Sequence, residues 1–202
     1  MTVEPLLIAT RSAGKLRELR ALFAGLSIVD LEEAGVSESG AEEHLETADT
    51  FEENALAKAR YFARLTGRPV VADDSGLEVA ALGGRPGVRS KRWSGRTDLT
   101  GVSLDAANNA RLIAELRGLT RREARYVCVA AFVDGAFAFT CRGTTGGIIL
   151  EEPRGSGGFG YDPYFLSDEL GKTFGEATLD EKENVSHRGR AFRALLTALQ
   201  RR

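Results

Sequence analysis

The sequence predicts an α/β protein, in which helices pack against a β-sheet, and three patterns support this prediction. An apolar run at residues 5–10 (PLLIAT) precedes a short turn and a segment with apolar residues at helical spacing, which is typical of strand, turn and helix. Two further apolar segments flank the dipeptide Asp134-Gly135, a strong hairpin signal. Both faces of these segments are apolar, which indicates strands that are covered on both sides of a sheet.

The length of the chain allows a substantial core. A chain of 202 residues buries roughly 70% of the surface that it exposes when unfolded. No repeat of 20–50 residues occurs, and no linker rich in Pro or Ser divides the chain. We therefore predict a single domain over residues 1–202.

Charge and cysteine content exclude several classes of protein. The 27 Lys and Arg against 29 Asp and Glu give a net charge of −2, so we expect neither nucleic acid nor membrane as a partner. The sequence has no run of 18 apolar residues, and its start lacks a signal peptide, so we expect a cytoplasmic protein. A turn at Asp134-Gly135 places Cys128 opposite Cys141, but a reducing cytoplasm favours free thiols.

The first strand and helix are joined by a short polar turn. Ser12 is a candidate N-cap for the helix that follows, and Gly25 is a candidate stop. Residues 12–15 (SAGK) would offer free backbone N–H groups, the positive end of a helix dipole and the ammonium of Lys15, which together suit a phosphate. From this motif alone, an ordinary turn with a solvated lysine is the favoured interpretation, since Gly-Lys after a strand is common.

The next segment joins an acidic loop to a second helix. Residues 37–49 (SESGAEEHLETAD) are acidic and lack periodicity, which predicts an exposed loop. Thr50 and Glu53 form a capping-box pattern, and Gly67 is a candidate C-terminal stop. Lys58 lies on this helix, either as a solvated surface residue or as a ligand-binding cation.

A pair of adjacent aspartates follows the third apolar run. Residues 68–72 (RPVVA) predict a strand, and Asp73-Asp74-Ser75-Gly76 predict its exit. Neighbouring side chains on a strand point to opposite faces, so both acids can serve one site only where the strand ends. The pattern fits either a capped turn or a catalytic pair.

The rest of the chain alternates glycine-rich loops with helices and the hairpin. Residues 83–95 form a Gly- and Arg-rich loop, and Ser103 is a possible cap for a helix at residues 102–119. Residues 143–160 contain many glycines, which indicates a hinge or a place where a ligand meets the backbone. Ser186 is predicted to cap the last helix. Its first turn carries the cations His187 and Arg188, which oppose the helix dipole unless a polar or anionic group lies there.

These residue types together suit the cleavage of a nucleoside triphosphate. Asp73, Asp74 and an acid within residues 42–46 can give oxygen ligands to Mg²⁺, which keeps several of its waters. Lys15 and Lys58 can neutralise phosphate oxygens. One of the two aspartates can then accept the proton of the attacking water.

Six segments in the same order resemble the non-canonical purine NTP pyrophosphatases, the inosine triphosphate pyrophosphatase or Ham1-like family. They are ATRSAGKL (9–16), TFEENALAKARY (50–61), VVADDSGLEVA (70–80), GGRPG (83–87), GGFGYDPY (157–164) and SHRG (186–189). The resemblance implies a homodimer with an elongated mixed sheet and two lobes, with the active site in the cleft between them. It also implies Mg²⁺-dependent hydrolysis of ITP, dITP and XTP to the monophosphate and pyrophosphate, by attack of water at the α-phosphorus.

The resemblance assigns roles residue by residue. Asp74 matches the proton acceptor and a metal ligand, and Glu46 and Asp73 match further acids at the metal. Substrate contacts are implied for Thr10, Arg11, Ser12, Ala13, Gly14, Lys15, Lys58, Ser75, Phe159, Gly160, Tyr161, Asp162, Lys182, His187 and Arg188.

The implied base contacts agree with purine chemistry. Phe159 can stack on the base, while donors at His187 and Arg188 meet the keto acceptor at position six of hypoxanthine and xanthine. An adenine amino group would leave these donors unpaired, at a cost of about 1–3 kcal/mol each. Guanine shares the keto group, so its exclusion depends on a contact that the sequence does not identify.

One position departs from the family pattern. The phosphate loop has Ser12 where the family usually has Asn, and a hydroxyl replaces only part of the bonding of an amide. The neighbouring Arg11 would compensate by adding a cation near the phosphates.

Two other functions stay open. One is a nucleotide pyrophosphatase of shifted specificity, as in the related Maf-like proteins, acting on canonical or modified nucleotides. The other is a non-catalytic nucleotide-binding module, which would not need the acid pair at Asp73 and Asp74.

Overall fold

The computed structural model describes residues 4–201, which form six β-strands and five α-helices. The strands are β1 (Leu6–Ile8), β2 (Ile28–Asp30), β3 (Val70–Val79), β4 (Glu123–Asp134), β5 (Phe137–Ile149) and β6 (Phe165–Ser167). The helices are α1 (Ala13–Leu22), α2 (Phe51–Thr66), α3 (Gly101–Glu115), α4 (Leu179–Val185) and α5 (His187–Gln200). Short 3₁₀ turns occur at Gly40–His44, Ala80–Leu82 and Gly87–Arg92.

The six strands form one mixed sheet in the order β2-β1-β3-β4-β5-β6. β1 pairs in parallel with β2 and with β3, whereas β5 and β6 are antiparallel. Parallel neighbours require helical crossovers, and α1 and α2 are those crossovers. The predicted α/β class with a mixed sheet is confirmed.

The chain divides into two compact units. The first unit comprises the described residues up to 74 together with 128–143 and those from 190 onward, and the second comprises 75–127 and 144–189. Across residues 4–201, no helix combines the length and the apolar character that crossing a bilayer requires.

Each unit has its own apolar core. In the first unit, α1 and α5 pack on the sheet, and the rings of Phe23 and Phe192 meet edge to face with centroids 5.6 Å apart. In the second unit, the rings of Tyr126, Phe165 and Phe174 cluster, with Tyr126 and Phe165 centroids 4.6 Å apart. Both cores are apolar and contain aromatic rings, so a polar side chain within them needs a specific partner.

Several predicted helix boundaries are confirmed. Ser12 caps α1 through a hydrogen bond from the Lys15 amide, and Thr50 caps α2. α2 ends at Gly67, which has φ of 70°. Ser186 accepts a hydrogen bond from the Gly189 amide at 3.0 Å, as the cap of α5 should.

The predicted exit of the third strand at Ser75-Gly76 is wrong. β3 continues without interruption from Val70 to Val79, with the two aspartates in its middle. It can do so because the acids have partners where they lie, and because Leu77 and Val79 are fully buried in the core of the second unit. The apolar run on each side of the acids is therefore one strand.

The hairpin turn lies one residue later than predicted. β4 ends at Asp134 and β5 begins at Phe137, so Gly135 and Ala136 are the turn residues. The first residue of such a turn needs a positive φ. Gly135 adopts it, at 56°, whereas the predicted turn would have required it of Asp134. The shift removes the predicted direct opposition of Cys128 and Cys141, and neither cysteine forms a disulfide.

Three other boundaries differ from prediction. Thr100, not Ser103, precedes α3. Helix α4 was not predicted, although Thr178 and Glu181 form a complete capping box at its start. Residues 143–149 belong to β5 and not to a glycine-rich loop.

The glycines of β5 are explained by the approach of β6. A Cβ at Gly147 would lie 2.3 Å from the Leu166 carbonyl oxygen and 2.7 Å from the Phe165 ring. Glycine is therefore required for β6 to pair at this position.

We predict that Gly147→Ala lowers the free energy of unfolding by about 1–3 kcal/mol, because backbone and a buried ring must move to make room. Urea denaturation measures this change. Gly146→Ala is the matched control: its Cβ would meet only the exposed Asp168 carboxylate, at 2.8 Å, which can rotate away. Equal losses in the two variants would contradict the steric explanation.

Candidate functional site

A charged site lies in the first unit where β1 ends beside β3. Ile8 is the last residue of β1 and pairs with Val71, after which the chain leaves toward α1. β3 continues past this point, so its backbone no longer faces β1. The Asp73 carbonyl accepts hydrogen bonds from Lys58 Nζ at 2.5 Å and from Lys15 Nζ at 3.4 Å.

Asp73 is fully buried and forms an ion pair. Its Oδ2 lies 3.0 Å from Lys15 Nζ and 3.7 Å from the sulfur of Cys128. A buried carboxylate needs such a cation, because desolvation of an unmatched charge costs several kcal/mol. Lys15 thus links α1 to the middle of β3 through both the side chain and the backbone of Asp73.

Asp74 faces α2 and is 5% exposed. Its Oδ2 accepts a hydrogen bond from Asn54 Nδ2 at 2.8 Å. Burial raises the pKa of Asp74 to about 6; Lys15 and Lys58 oppose the rise, whereas Glu46 adds to it. A carboxylate with that pKa can take a proton from water near neutral pH.

Lys58 is buried on α2 and pairs with Glu46. Burial alone would lower the pKa of Lys58, but the charges of Glu46, Asp73 and Asp74 raise it above its ordinary value. The amine therefore stays protonated and can act as a fixed positive charge.

The residues of the predicted phosphate loop surround the start of α1. Thr10 is buried, and its Oγ1 accepts a hydrogen bond from the Ser12 amide at 3.2 Å. Ser12 Oγ accepts from the Lys15 amide at 3.4 Å. Ala13 and Gly14 begin the helix, where backbone N–H groups have no acceptor within the helix and favour anions.

Arg11 binds neighbouring protein groups. It forms a two-pronged ion pair with Glu42, with N–O distances of 3.0 and 2.8 Å, and donates to the Val36 carbonyl at 3.0 Å. The hydrogen bond with Glu42 raises the pKa of Arg11. The charge of Arg11 is thus matched by Glu42 within the protein, and its predicted compensation for Ser12 at the phosphates stays a prediction.

The second unit contains the other predicted residues, around one buried ion pair. Lys182 on α4 pairs with Asp162, and both are less than 5% exposed. Asp162 Oδ2 also accepts from the Phe159 amide at 2.8 Å. The Lys182 ammonium lies 4.8 Å from the Phe159 ring centroid, within cation–π range.

The first turn of α5 is polar and buried. Arg188 is 2% exposed, donates to Ser75 Oγ at 2.7 Å and lies 5.7 Å from the Phe159 ring centroid. His187 stacks on Tyr126, with centroids 4.6 Å apart and the rings within 7° of parallel. The two cations at the start of α5 therefore have polar and aromatic partners, and the sequence predicted a polar or anionic partner there.

Two residues of the predicted base pocket have structural contacts of their own. Tyr161 is buried in the core of the second unit, and its hydroxyl donates to the Ser90 carbonyl at 2.7 Å. Burial raises the pKa of Tyr161, so the hydroxyl keeps its proton. Gly160 has φ of 62°, in the left-handed region that favours glycine.

The acids of the first unit form an all-oxygen donor set. Asp74, Glu46 and Asp73 are near enough to influence Lys58 together, and burial raises the pKa of Asp74. Within residues 4–201, no group of three or more His, Cys, Asp or Glu side chains is arranged to hold a metal ion on its own. Mg²⁺ usually takes only one or two protein carboxylates and completes its shell with water and phosphate, so two of these three acids would suffice for it.

Asn54 is a site residue that the sequence motifs did not identify. It is fully buried, and besides Asp74 it bonds the backbone N–H and C=O of Ala48, at 2.9 and 3.3 Å. An Asn on the apolar face of α2, four residues before Lys58, is the signal that could have identified it.

The sequence model of the Ham1 family matches residues 6–198. The chain belongs to the Ham1 family. A curated relative from Frankia alni, named dITP/XTP pyrophosphatase, is 52% identical over 198 residues, covering 96% of each chain. A relative of the same name from Mycobacterium tuberculosis is 50% identical over 202 residues, covering 98% of this chain and 96% of its own.

Solved Ham1 structures share the fold. The structure of a HAM1 protein from Coxiella burnetii aligns with a TM-score of 0.83 at 36% identity, covering 98% of this chain and 99% of that one. The resemblance on the six sequence segments is therefore confirmed, as is the α/β fold that it implied.

The raised pKa of Asp74 has a consequence for stability without metal. Between the ordinary pKa of 3.8 and about 6, the folded protein holds the Asp74 proton more tightly than the unfolded chain does. Stability from this group is therefore present at low pH and is lost as the pH rises through about 6.

We predict that Asp74→Asn is more stable than the native protein in the absence of metal, and that this advantage is larger at pH 7.5 than at pH 4.5. The reason is that the amide carries no buried charge, whereas Asp74 is ionised at the higher pH. The difference in unfolding free energy between variant and native protein should shrink by about 2 kcal/mol from the higher to the lower pH. Urea denaturation with a chelator measures it. Asp134→Asn, at an exposed position, controls for net charge. A difference that does not change with pH would contradict the raised pKa.

Proposed function

We propose that this Ham1-family protein hydrolyses dITP, XTP and ITP to the nucleoside monophosphate and pyrophosphate, and so removes non-canonical purines from the nucleotide pool. The observation that carries the proposal is the buried carboxylate of Asp74, with its raised pKa, beside Lys15 and Lys58. The names of relatives about 50% identical over almost the whole chain support this substrate class.

The residues of the first unit suit a triphosphate. The start of α1 provides backbone N–H donors at Ala13 and Gly14, and Lys15 and Lys58 provide two ammonium groups. We assign the triphosphate to these groups. Its binding would draw the two ammoniums away from contacts that they make with Asp73 and Glu46.

Asp74 is the proton acceptor in the reaction that we propose. The water oxygen forms a bond to the α-phosphorus, the bond from that phosphorus to the bridging oxygen breaks, and pyrophosphate leaves. The water proton passes to Asp74 Oδ. Asn54 holds the carboxylate in place through Oδ2.

Mg²⁺ is the proposed cofactor. Asp74, with either Glu46 or Asp73, would hold it, and it would supply positive charge to the phosphate oxygens. Glu46 forms an ion pair with Lys58, so as a metal ligand it would have to bind the metal and Lys58 at the same time.

The second unit suits the base. We place the purine on the Phe159 ring, with His187 and Arg188 as donors toward its six-position keto oxygen. Lys182 lies over the same ring, and Asp162 accepts a hydrogen bond from the Phe159 amide. An adenine amino group would leave these donors without an acceptor, and this cost would disfavour adenine.

We also propose a homodimer in the cytoplasm, on the resemblance alone. Light scattering on the eluted protein should give twice the 21.8 kDa of one chain. A mass of one chain at micromolar concentration would contradict the dimer.

A turnover panel with Mg²⁺ tests the specificity. We expect dITP, XTP and ITP to be cleaved with kcat/KM at least about 100-fold above ATP, GTP and dTTP, since a polar site can reject a mismatched base by that factor or more. Equal cleavage of canonical nucleotides would favour the alternative of a pyrophosphatase that acts on canonical or modified nucleotides. Binding without turnover would favour the non-catalytic module.

Removal of the proposed proton acceptor is the test of mechanism. Asp74→Asn should lower kcat for dITP by about 100-fold to 10,000-fold, because proton transfer by a positioned base contributes that much. Pyrophosphate release measures turnover. The exposed Asp134→Asn should keep native kcat. Native turnover of Asp74→Asn would contradict the role of Asp74.

Metal removal should stop the reaction. We expect a chelator to reduce dITP turnover by more than about 100-fold, since the phosphate charge would no longer be neutralised, and added Mg²⁺ to restore it. Pyrophosphate release measures both steps. Full activity after exhaustive chelation would contradict the cofactor.

A further inference from the structure

Helix α3 holds both backbone polar groups of Gly160. The Gly160 amide donates to Asp105 Oδ2 at 2.8 Å, and the Gly160 carbonyl accepts from Asn109 Nδ2 at 2.9 Å. Asp105 and Asn109 are four residues apart on α3, so they lie on the same face of the helix. All three residues belong to the second unit.

Gly160 is a point of conformational freedom in this loop. It has no side chain, has φ of 62°, and has open space where a Cβ would lie. On one side Phe159 is tied to Asp162, and on the other Tyr161 is anchored in the core. Rotation at Gly160 would therefore change the direction of the Phe159 ring relative to a fixed Tyr161.

Asn109 has a polar side chain at a position that would suit an apolar one. It is 8% exposed, one turn before the fully buried Leu112. Its Oδ1 has no hydrogen-bond partner among the described residues, so Asn109 carries a desolvation cost for the single hydrogen bond that it donates to Gly160. Packing alone does not account for an Asn here.

We propose that Asp105 and Asn109 are positioning residues that set the Phe159 ring for the purine base by clamping Gly160. This inference rests on the proposed function. Asp105 and Asn109 act through Gly160 without touching the substrate, so they govern how tightly the base binds and how well the site selects it. They leave the phosphate end unchanged, because Lys15, Lys58 and Asp74 belong to the other unit.

The test compares kinetics for dITP in three clamp variants and one control. Asp105→Ala and Asn109→Ala should each raise KM about tenfold, as expected for the loss of one hydrogen bond, with kcat changed less than about twofold. Asp105→Asn keeps an acceptor oxygen and should restore KM to near the native value. Asn108→Ala is the matched control, because Asn108 is the adjacent buried Asn and holds residues 91 and 94 instead.

Product inhibition separates the two ends of the substrate. In Asp105→Ala and Asn109→Ala, inhibition by IMP should weaken about tenfold, while inhibition by pyrophosphate should stay within about twofold. Asp105 is half-buried, so Asp105→Ala remains informative if Asn109→Ala does not fold.

Three results would overturn the clamp. They are native KM in both alanine variants, an equal rise of KM in Asn108→Ala, or a loss in Asp105→Asn as large as in Asp105→Ala. None of these depends on the proposed reaction failing. That failure would appear as absence of dITP turnover in the native protein.

Discussion

The balance of buried charge in the middle of β3 is the constraint on which the first unit depends. Asp73 and Asp74 lie inside a strand whose neighbours are apolar, and Lys15 and Lys58 reach them from two different helices. With Glu46, three carboxylates meet two ammoniums, so one negative charge is left over if all five ionise. Burial raises the pKa of Asp74 and the nearby charge of Glu46 adds to the rise, so the cluster suits the uptake of a cation or a proton.

The second unit satisfies the same requirement with one pair of charges and several rings. Lys182 and Asp162 neutralise each other inside an aromatic core, and Arg188 bonds Ser75 while facing Phe159. Buried polar groups of this kind are costly unless each has a partner, and here the partners fix ring positions. The residues to which we assign the phosphates and those to which we assign the base therefore lie in separate units, and each set contains an ion pair.

Local signals predicted much of this structure from sequence. The caps at Ser12, Thr50 and Ser186 each depend on one side chain and the next three residues, so they could be identified without tertiary information. The continuity of β3 could not be predicted, because it depends on cations that arrive from other helices. For the same reason, Asn54, Asn109 and the pairing of Arg11 with Glu42 were missed, since their partners are distant in sequence. That the chain is a single domain stays a prediction.

We propose that the buried cluster around Asp74 directs water to the α-phosphorus. Hydrolysis of dITP in water enriched with ¹⁸O, followed by mass spectrometry of both products, tests it most directly. Attack at the α-phosphorus predicts one ¹⁸O atom in the monophosphate and none in the pyrophosphate. Label in pyrophosphate would place the attack at the β-phosphorus, and labelled orthophosphate would place it at the γ-phosphorus; either result would contradict the mechanism.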